Sequence, residues 1–264
     1  MFGLVLVVLG ASGCGSSGSD TSDSDRSTTS SNAHGGGSTT PRRADKPTST
    51  APAPAEAAAP DASPFVVGFG HLKALSLAAG DPGKLSIIST GAKDELSDSV
   101  TMIVRNNTDH PIGRIEVTGT ARNAAGALVG SGSSQGFEPA VVKPGEIAYG
   151  YVYFDGGFPK ASKFKFDVKG EEVGTYFRPI TITEINNTGQ AIVGTVANKT
   201  GADVTGPISV DVQCFAANGA PLRSINEFAE QEELADGATG SFSIDLLDQK
   251  CPIGLAAATG FGSL

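Results

Sequence analysis

Few side chains in this sequence form a pattern that could do chemistry. Residues 132–136 read GSSQG and match the Gly-x-Ser-x-Gly pattern of hydrolases. In those enzymes the serine lies on a turn between a strand and a helix, and a later histidine activates it. No histidine follows His110, and no helical pattern follows Gln135. We therefore expect Ser134 to be an ordinary loop serine and the protein not to be an enzyme; a hydrolase reading has Ser134 as its only basis.

The potential metal ligands are also poorly placed. The three histidines, His34, His71 and His110, have no cysteine or carboxylate at ligand spacing. An acidic cluster lies late in the chain: Glu227, Glu230, Glu232, Glu233 and Asp236. A calcium site would need 6–8 oxygens converging on one point, whereas side chains on a strand or loop spread into water. We expect no metal and no cofactor.

The three cysteines are divided between two predicted uses. An odd number of cysteines in an exported chain suggests one pair and one residue with another role. Cys214 ends one alternating segment, and Cys251 follows another. We expect these two to form a disulfide, which would close a loop of about 36 residues; two reduced structural thiols are the alternative.

Cys14 ends an apolar run. Residues 4–14 read LVLVVLGASGC, and this run is too short for a transmembrane helix, which needs about 20 residues. It fits the core of a signal peptide. The small residues before Cys14 resemble a bacterial lipobox, which implies cleavage before the cysteine and a diacylglycerol on its sulfur. We expect residues 1–13 to be a signal peptide and Cys14 to hold the protein on the extracytoplasmic face of the cell membrane. An ordinary secretory signal cleaved elsewhere is the alternative.

The next segment cannot form a core. Residues 15–64 contain no Ile, Leu, Val, Met, Phe, Tyr or Trp. Their first half is rich in Gly and Ser, and their second half is rich in Pro and Ala. Such compositions bury too little apolar surface to offset the loss of conformational entropy. We predict that residues 14–64 comprise the lipidated cysteine and a disordered linker.

From Phe65 onward the chain is predicted to form β-strands. Apolar and polar residues alternate with period two in IGRIEVTG, IAYGYVYF, KFKFDVKG, ISVDVQCF and SFSIDLL. An internal repeat accompanies them, with a spacing of about 92 residues. The Asn-x-Thr turn at Asn106 matches the one at Asn198, and the hairpin glycine Gly126 matches Gly219. This spacing is the size of one immunoglobulin-like sandwich.

The repeat resembles the FxLYD family of small β-sandwich domains, which are common in bacterial envelope lipoproteins. Gly194, Val196 and Asn198 match its Gly-x-Val-x-Asn strand, and Val210 and Val212 match its following valine strand. The resemblance implies the fold and an envelope location, and it carries no catalytic residues. We predict an all-β chain with two tandem immunoglobulin-like modules, at 65–170 and 171–264.

The net charge of the chain narrows the range of possible partners. The net charge of −9 argues against nucleic acid as a partner, because binding it requires a basic face. The leading hypothesis is a non-enzymatic, lipid-anchored envelope protein whose modules bind an envelope protein or glycan. The alternative is an extracytoplasmic sensor or carrier of a small molecule or ion. Its site would be a cleft between the modules, lined by Tyr149, Tyr151, Phe154 and Phe158, although core packing is the favoured explanation for these aromatics.

Overall fold

The computed structural model describes residues 63–95, 97–158 and 160–262. The chain in these ranges is all-β, and it forms two curled antiparallel sheets that correspond to the two predicted sandwich modules. The predicted signal peptide, Cys14 and most of the predicted linker lie outside the described residues. Within the described part, no helical segment has the length and apolarity needed to cross a membrane.

The first module contains seven strands. In chain order they are β2 (Leu85–Asp94), β3 (Ser99–Asn106), β4 (Ile112–Arg122), β5 (Leu128–Glu138), β6 (Val141–Val142), β7 (Ile147–Phe154) and β8 (Lys163–Glu171). Hydrogen bonding joins them in the order β2-β3-β7-β5-β4-β6, and β8 also pairs with β4. The sheet curls around a core in which Phe154 packs edge-to-face against Phe158 and Phe164.

The second module repeats this strand plan. Its strands are β9 (Phe177–Asn187), β10 (Ala191–Ala197), β11 (Val204–Phe215), β12 (Pro221–Phe228), β13 (Glu233–Leu234), β14 (Thr239–Asp245) and β15 (Ile253–Gly262). The pairs β9-β10, β10-β14, β11-β12, β11-β13 and β11-β15 correspond one for one to pairs in the first module. One pairing differs: β5-β7 closes the first sheet, whereas β9-β15 closes the second. The predicted duplication is therefore present in the topology.

Two buried asparagines reproduce the duplication at the level of single hydrogen bonds. The side-chain amide of Asn106 donates to the carbonyls of His110 and Val142, each at 2.9 Å. The amide of Asn198 donates to Ala202 and Leu234, at 2.7 and 2.8 Å. Each pair of asparagine and carbonyl residues in the second module lies 92 positions after its counterpart. The Asn-x-Thr repeats therefore fix turns.

The acceptor side of each asparagine is used in the same way. The side-chain oxygen of Asn106 accepts from the backbone N–H and the hydroxyl of Thr108, at 2.9 and 2.6 Å. The oxygen of Asn198 accepts both bonds from Thr200, at 3.0 and 2.7 Å. Because both asparagines are fully buried, these bonds satisfy amides that would otherwise be costly to desolvate.

The segment before the first module joins the second one. Strand β1 (Val67–Phe69) pairs antiparallel with β15, and a short 3-10 turn at Leu72–Ala74 follows it. These residues fall within the range predicted for the first module, 65–170. In space, β1 lies on the sheet of the second module before the chain enters β2. We call residues 66–77 the strap, since they connect the two modules at this point.

A third apolar cluster lies between the modules and includes the strap. It combines Ile103 and Ile147 from the first module with Phe215, Ile253 and Leu255 from the second. Val66 of the strap is buried in it, and Leu72, Leu75 and Leu77 pack against it. This shared core explains why β3 and β15 are buried over nearly their whole length, since one face of each strand lines its own module and the other faces the partner module. Both modules belong to one compact unit.

Candidate functional site

A polar pocket lies beside the shared core, at the contact between the modules. Its volume is about 190 Å³, which is enough for several waters or a small molecule. The first module supplies strands β5 and β7, and the second supplies β11 and β12. The lining residues are Gln135, Gly136, Glu138, Tyr149, Gly150, Tyr151, Ser209, Asp211, Ser224 and Asn226.

Two hydrogen bonds cross between the modules at this pocket. The hydroxyl of Tyr149 donates to the backbone carbonyl of Asp211 at 2.8 Å. The hydroxyl of Thr259, on β15, donates to the carboxyl group of Glu138 in a short contact. Tyr149 also packs in the shared apolar core, so one side chain joins the apolar and polar halves of the interface.

Two carboxyl groups face this pocket from opposite modules. Burial first, and then the charge of Asp211, raise the pKa of Glu138 to about 8, against the opposing effect of the Thr259 hydrogen bond. Burial raises the pKa of Asp211 to about 6, although its carboxylate accepts a 2.6 Å hydrogen bond from the Ser209 hydroxyl. The lining residues include no lysine, arginine or histidine that could neutralise the pair.

The same environment also raises the pKa values of two tyrosines in the pocket, Tyr149 and Tyr151. Burial, followed by the charges of Asp211 and Glu138, raises the pKa of Tyr149, so its phenol stays protonated and continues to donate. Burial and then Asp211 also raise the pKa of Tyr151. The pocket is therefore a site with an excess of acceptors and two protonatable carboxyls. Its chemistry suits a ligand that carries positive charge or hydrogen-bond donors.

The aromatic residues proposed for an inter-module cleft divide into two pairs. Tyr149 and Tyr151 line the pocket. Phe154 and Phe158 instead lie in the core of the first module, where both are nearly inaccessible to solvent. Sequence reasoning did not identify Glu138 or Asp211. Asp211 occupies a polar position in the ISVDVQCF alternation, and nothing in that pattern distinguishes it from a solvated residue.

The cysteine pairing is as predicted. Cys214 at the end of β11 and Cys251 before β15 form a disulfide, with their Cα atoms 5.0 Å apart. Both residues are almost completely buried in the core of the second module. The bond ties together two strands that also pair with each other, and it lies next to Phe215 and Ile253 of the shared core.

Ser134 is an ordinary strand residue, and the acidic cluster is exposed to solvent. Ser134 lies within β5, and its hydroxyl oxygen accepts a 3.0 Å hydrogen bond from the backbone N–H of Val117. No helix follows it before β6. In the described part of the chain, no group of three or more His, Cys, Asp and Glu residues is arranged to hold a metal ion. All five residues of the acidic cluster are exposed: Glu227, Glu230, Glu232, Glu233 and Asp236.

No model of a known protein family matches this chain, and no curated protein sequence matches it either.

Proposed function

We propose that this chain is a non-enzymatic, lipid-anchored protein of the bacterial cell envelope. Its two β-sandwich modules would form a single binding body for an envelope protein or glycan, outside the membrane. The observation that carries this proposal is the buried Cys214–Cys251 disulfide. Such bonds persist in oxidising compartments and are rare in the cytosol. The lipobox-like residues before Cys14 supply the means of attachment.

We also propose that the modules are FxLYD-like domains. The buried Asn198 supports this assignment, because it gives the Gly-x-Val-x-Asn pattern a structural role. Its side chain ties the end of β10 to the carbonyl of Leu234 and to the following turn. Asn106 makes the equivalent bonds in the first module. In this assignment the asparagine of the motif serves to build the turn.

Detergent partitioning tests the anchored state. The protein expressed in a bacterial host with the lipoprotein pathway should enter the detergent phase of a Triton X-114 extract. Cys14→Ser should move it to the aqueous phase, since two acyl chains give stable membrane attachment and their loss removes it. A wild-type protein found in the aqueous phase, or a variant that stays in the detergent phase, would contradict the proposal.

A second function, a sensor or carrier of a small ligand, is favoured by the inter-module pocket. Two carboxyl groups without a lining cation would suit a small cation or a cationic organic molecule. The test is a thermal shift of the purified protein with Ca²⁺, Mg²⁺, Zn²⁺ and spermidine, each compared between wild type and Asp211→Asn. A ligand-dependent rise in Tm that the variant loses would support a carrier. The absence of a shift with all four would oppose it.

A further inference from the structure

The contact between the modules combines an apolar core with a pair of like-charged groups. The apolar part, which includes Ile103, Phe215 and Leu255, favours closure at any pH. The polar part sets Glu138 of one module near Asp211 of the other. Two ionised carboxylates in such a site repel each other, and each loses hydration when the modules close.

The groups that face Glu138 leave it without a compensating charge. Strand β7 presents the phenols of Tyr149 and Tyr151, and β11 presents Asp211 together with the hydroxyl of Ser209. Strand β12 presents Ser224 and Asn226, which do not titrate, and β15 presents the hydroxyl of Thr259. The only titratable groups among these are therefore acids. A proton on one carboxyl is the simplest way to relieve the repulsion.

We propose that the Glu138–Asp211 pair makes the closure of the two modules dependent on pH, so that the modules stay together when the pair holds a proton and separate when both carboxyls ionise. This inference goes beyond the proposed function, because it concerns the contact between the modules. It holds whatever ligand they bind and whether or not Cys14 carries a lipid. It would allow the protein to respond to acidification outside the membrane by closing, and to alkaline conditions by opening.

The sign follows from proton binding in the two states. In the open state Glu138 is solvated and titrates near the ordinary carboxyl value, whereas in the closed state burial and Asp211 raise its pKa to about 8. Between these values the closed state binds more protons, so raising the pH favours the open state. Closure is therefore most favourable below the open-state pKa of Glu138 and weakens up to about pH 8. Asp211 contributes in the same direction over a lower range.

Hydroxyl-radical footprinting of the full chain at pH 5.0 and pH 8.5 tests this proposal. The readout is oxidation at Tyr149 and Phe215, both buried between the modules, relative to Phe154 and Phe242, each buried within one module. We expect oxidation at the first two to rise about threefold or more at pH 8.5, and oxidation at the others to stay constant. Constant oxidation at all four would overturn the proposal, as would an equal rise at all four, which would mean global unfolding.

Neutral variants separate the carboxyl pair from other titrations. Glu138→Gln keeps an oxygen that can accept from Thr259, and Asp211→Asn keeps one for Ser209. Glu138→Gln should remove most of the pH-dependent rise at Tyr149 and Phe215, whereas Asp211→Asn should reduce it less, because burial alone still raises the pKa of Glu138. Glu172→Gln, an exposed site between β8 and β9, is the matched control and should retain it. A rise as large in Glu138→Gln as in the wild type would overturn the assignment of the pH dependence to this carboxyl pair.

Thermal unfolding gives a second readout that does not depend on side-chain oxidation. The wild-type Tm should be lower at pH 8.5 than at pH 5.0, and the drop should exceed that of Glu138→Gln by about 4 °C or more. Equal drops in the two proteins would contradict the proposal. A lipid anchor on Cys14 plays no part in either measurement, so failure here leaves the proposed function intact.

Discussion

Replacing Phe215 by alanine should lower the free energy of unfolding by about 3–5 kcal/mol and loosen the contact between the modules. Phe215 is fully buried in the shared core, among Ile253, Leu255 and the first-module residue Ile103. Truncation removes apolar contacts and leaves a cavity that rigid strands on both sides cannot fill. Urea unfolding followed by circular dichroism measures the stability, and footprinting of Tyr149 measures the loosening.

Phe154→Ala is the matched control for this prediction. Phe154 is equally buried but lies in the core of the first module, in edge-to-face contact with Phe158 and Phe164. Its truncation should cost a similar free energy, about 3–5 kcal/mol, without increasing oxidation at Tyr149 under native conditions. If Phe215→Ala leaves Tyr149 as protected as in the wild type, the shared core does not hold the modules together.

Removing the disulfide should have a comparable effect on stability. The double variant Cys214→Ser/Cys251→Ser is expected to lose about 4 kcal/mol, because the bond closes a long loop and limits the entropy of the unfolded chain. For a folded body of this size the loss corresponds to a fall in Tm of about 8–16 °C. Both serines would also carry hydroxyls into the buried positions that the sulfurs occupy. Differential scanning calorimetry measures the change.

Cys14→Ser provides the control for that experiment, since it is the same substitution at the third cysteine. We expect it to leave Tm unchanged when both proteins are compared in detergent. A double variant that unfolds within about 1 °C of the wild type would show that the bond contributes little and that strand pairing alone holds β11 to β15.

The alternation of apolar and polar residues predicted the fold well, because most strands place one face in the core of their own module. Val210, Val212 and Cys214 point into the core of the second module as their spacing predicts. The repeat of Asn106 at Asn198 likewise predicted matching turns, since a buried asparagine with four hydrogen bonds leaves little freedom at that position. Both features depend on residues close in sequence or on one regular period.

The contact between the modules could not be predicted in the same way. It requires strands that are buried on both faces, and such strands have continuous apolar runs with no alternation to interpret. Residues 253–258, IGLAAA, are of this kind, and no strand was assigned to them from the sequence. Similarly, β1 pairs with a strand nearly 190 residues later, so nothing local in Val67–Phe69 reveals its partner.

The pocket was partly accessible to sequence reasoning. Tyr149 and Tyr151 were identified as possible cleft residues from their alternation, but Phe154 on the same strand faces the module core. Glu138 and Asp211 approach each other only because the two modules are in contact. They lie far apart in the sequence, so no local pattern predicts that they are neighbours. Their raised pKa values arise from burial at that contact and would be absent in separate modules.

Mass spectrometry of the protein from the membrane fraction of a bacterial host tests directly the proposal that the chain is exported and anchored by its first cysteine. We expect a mature N-terminus at Cys14 carrying diacylglycerol, and a disulfide-linked pair of peptides that contain Cys214 and Cys251. An unmodified Cys14 inside a longer peptide, or an N-terminus at another residue, would contradict it.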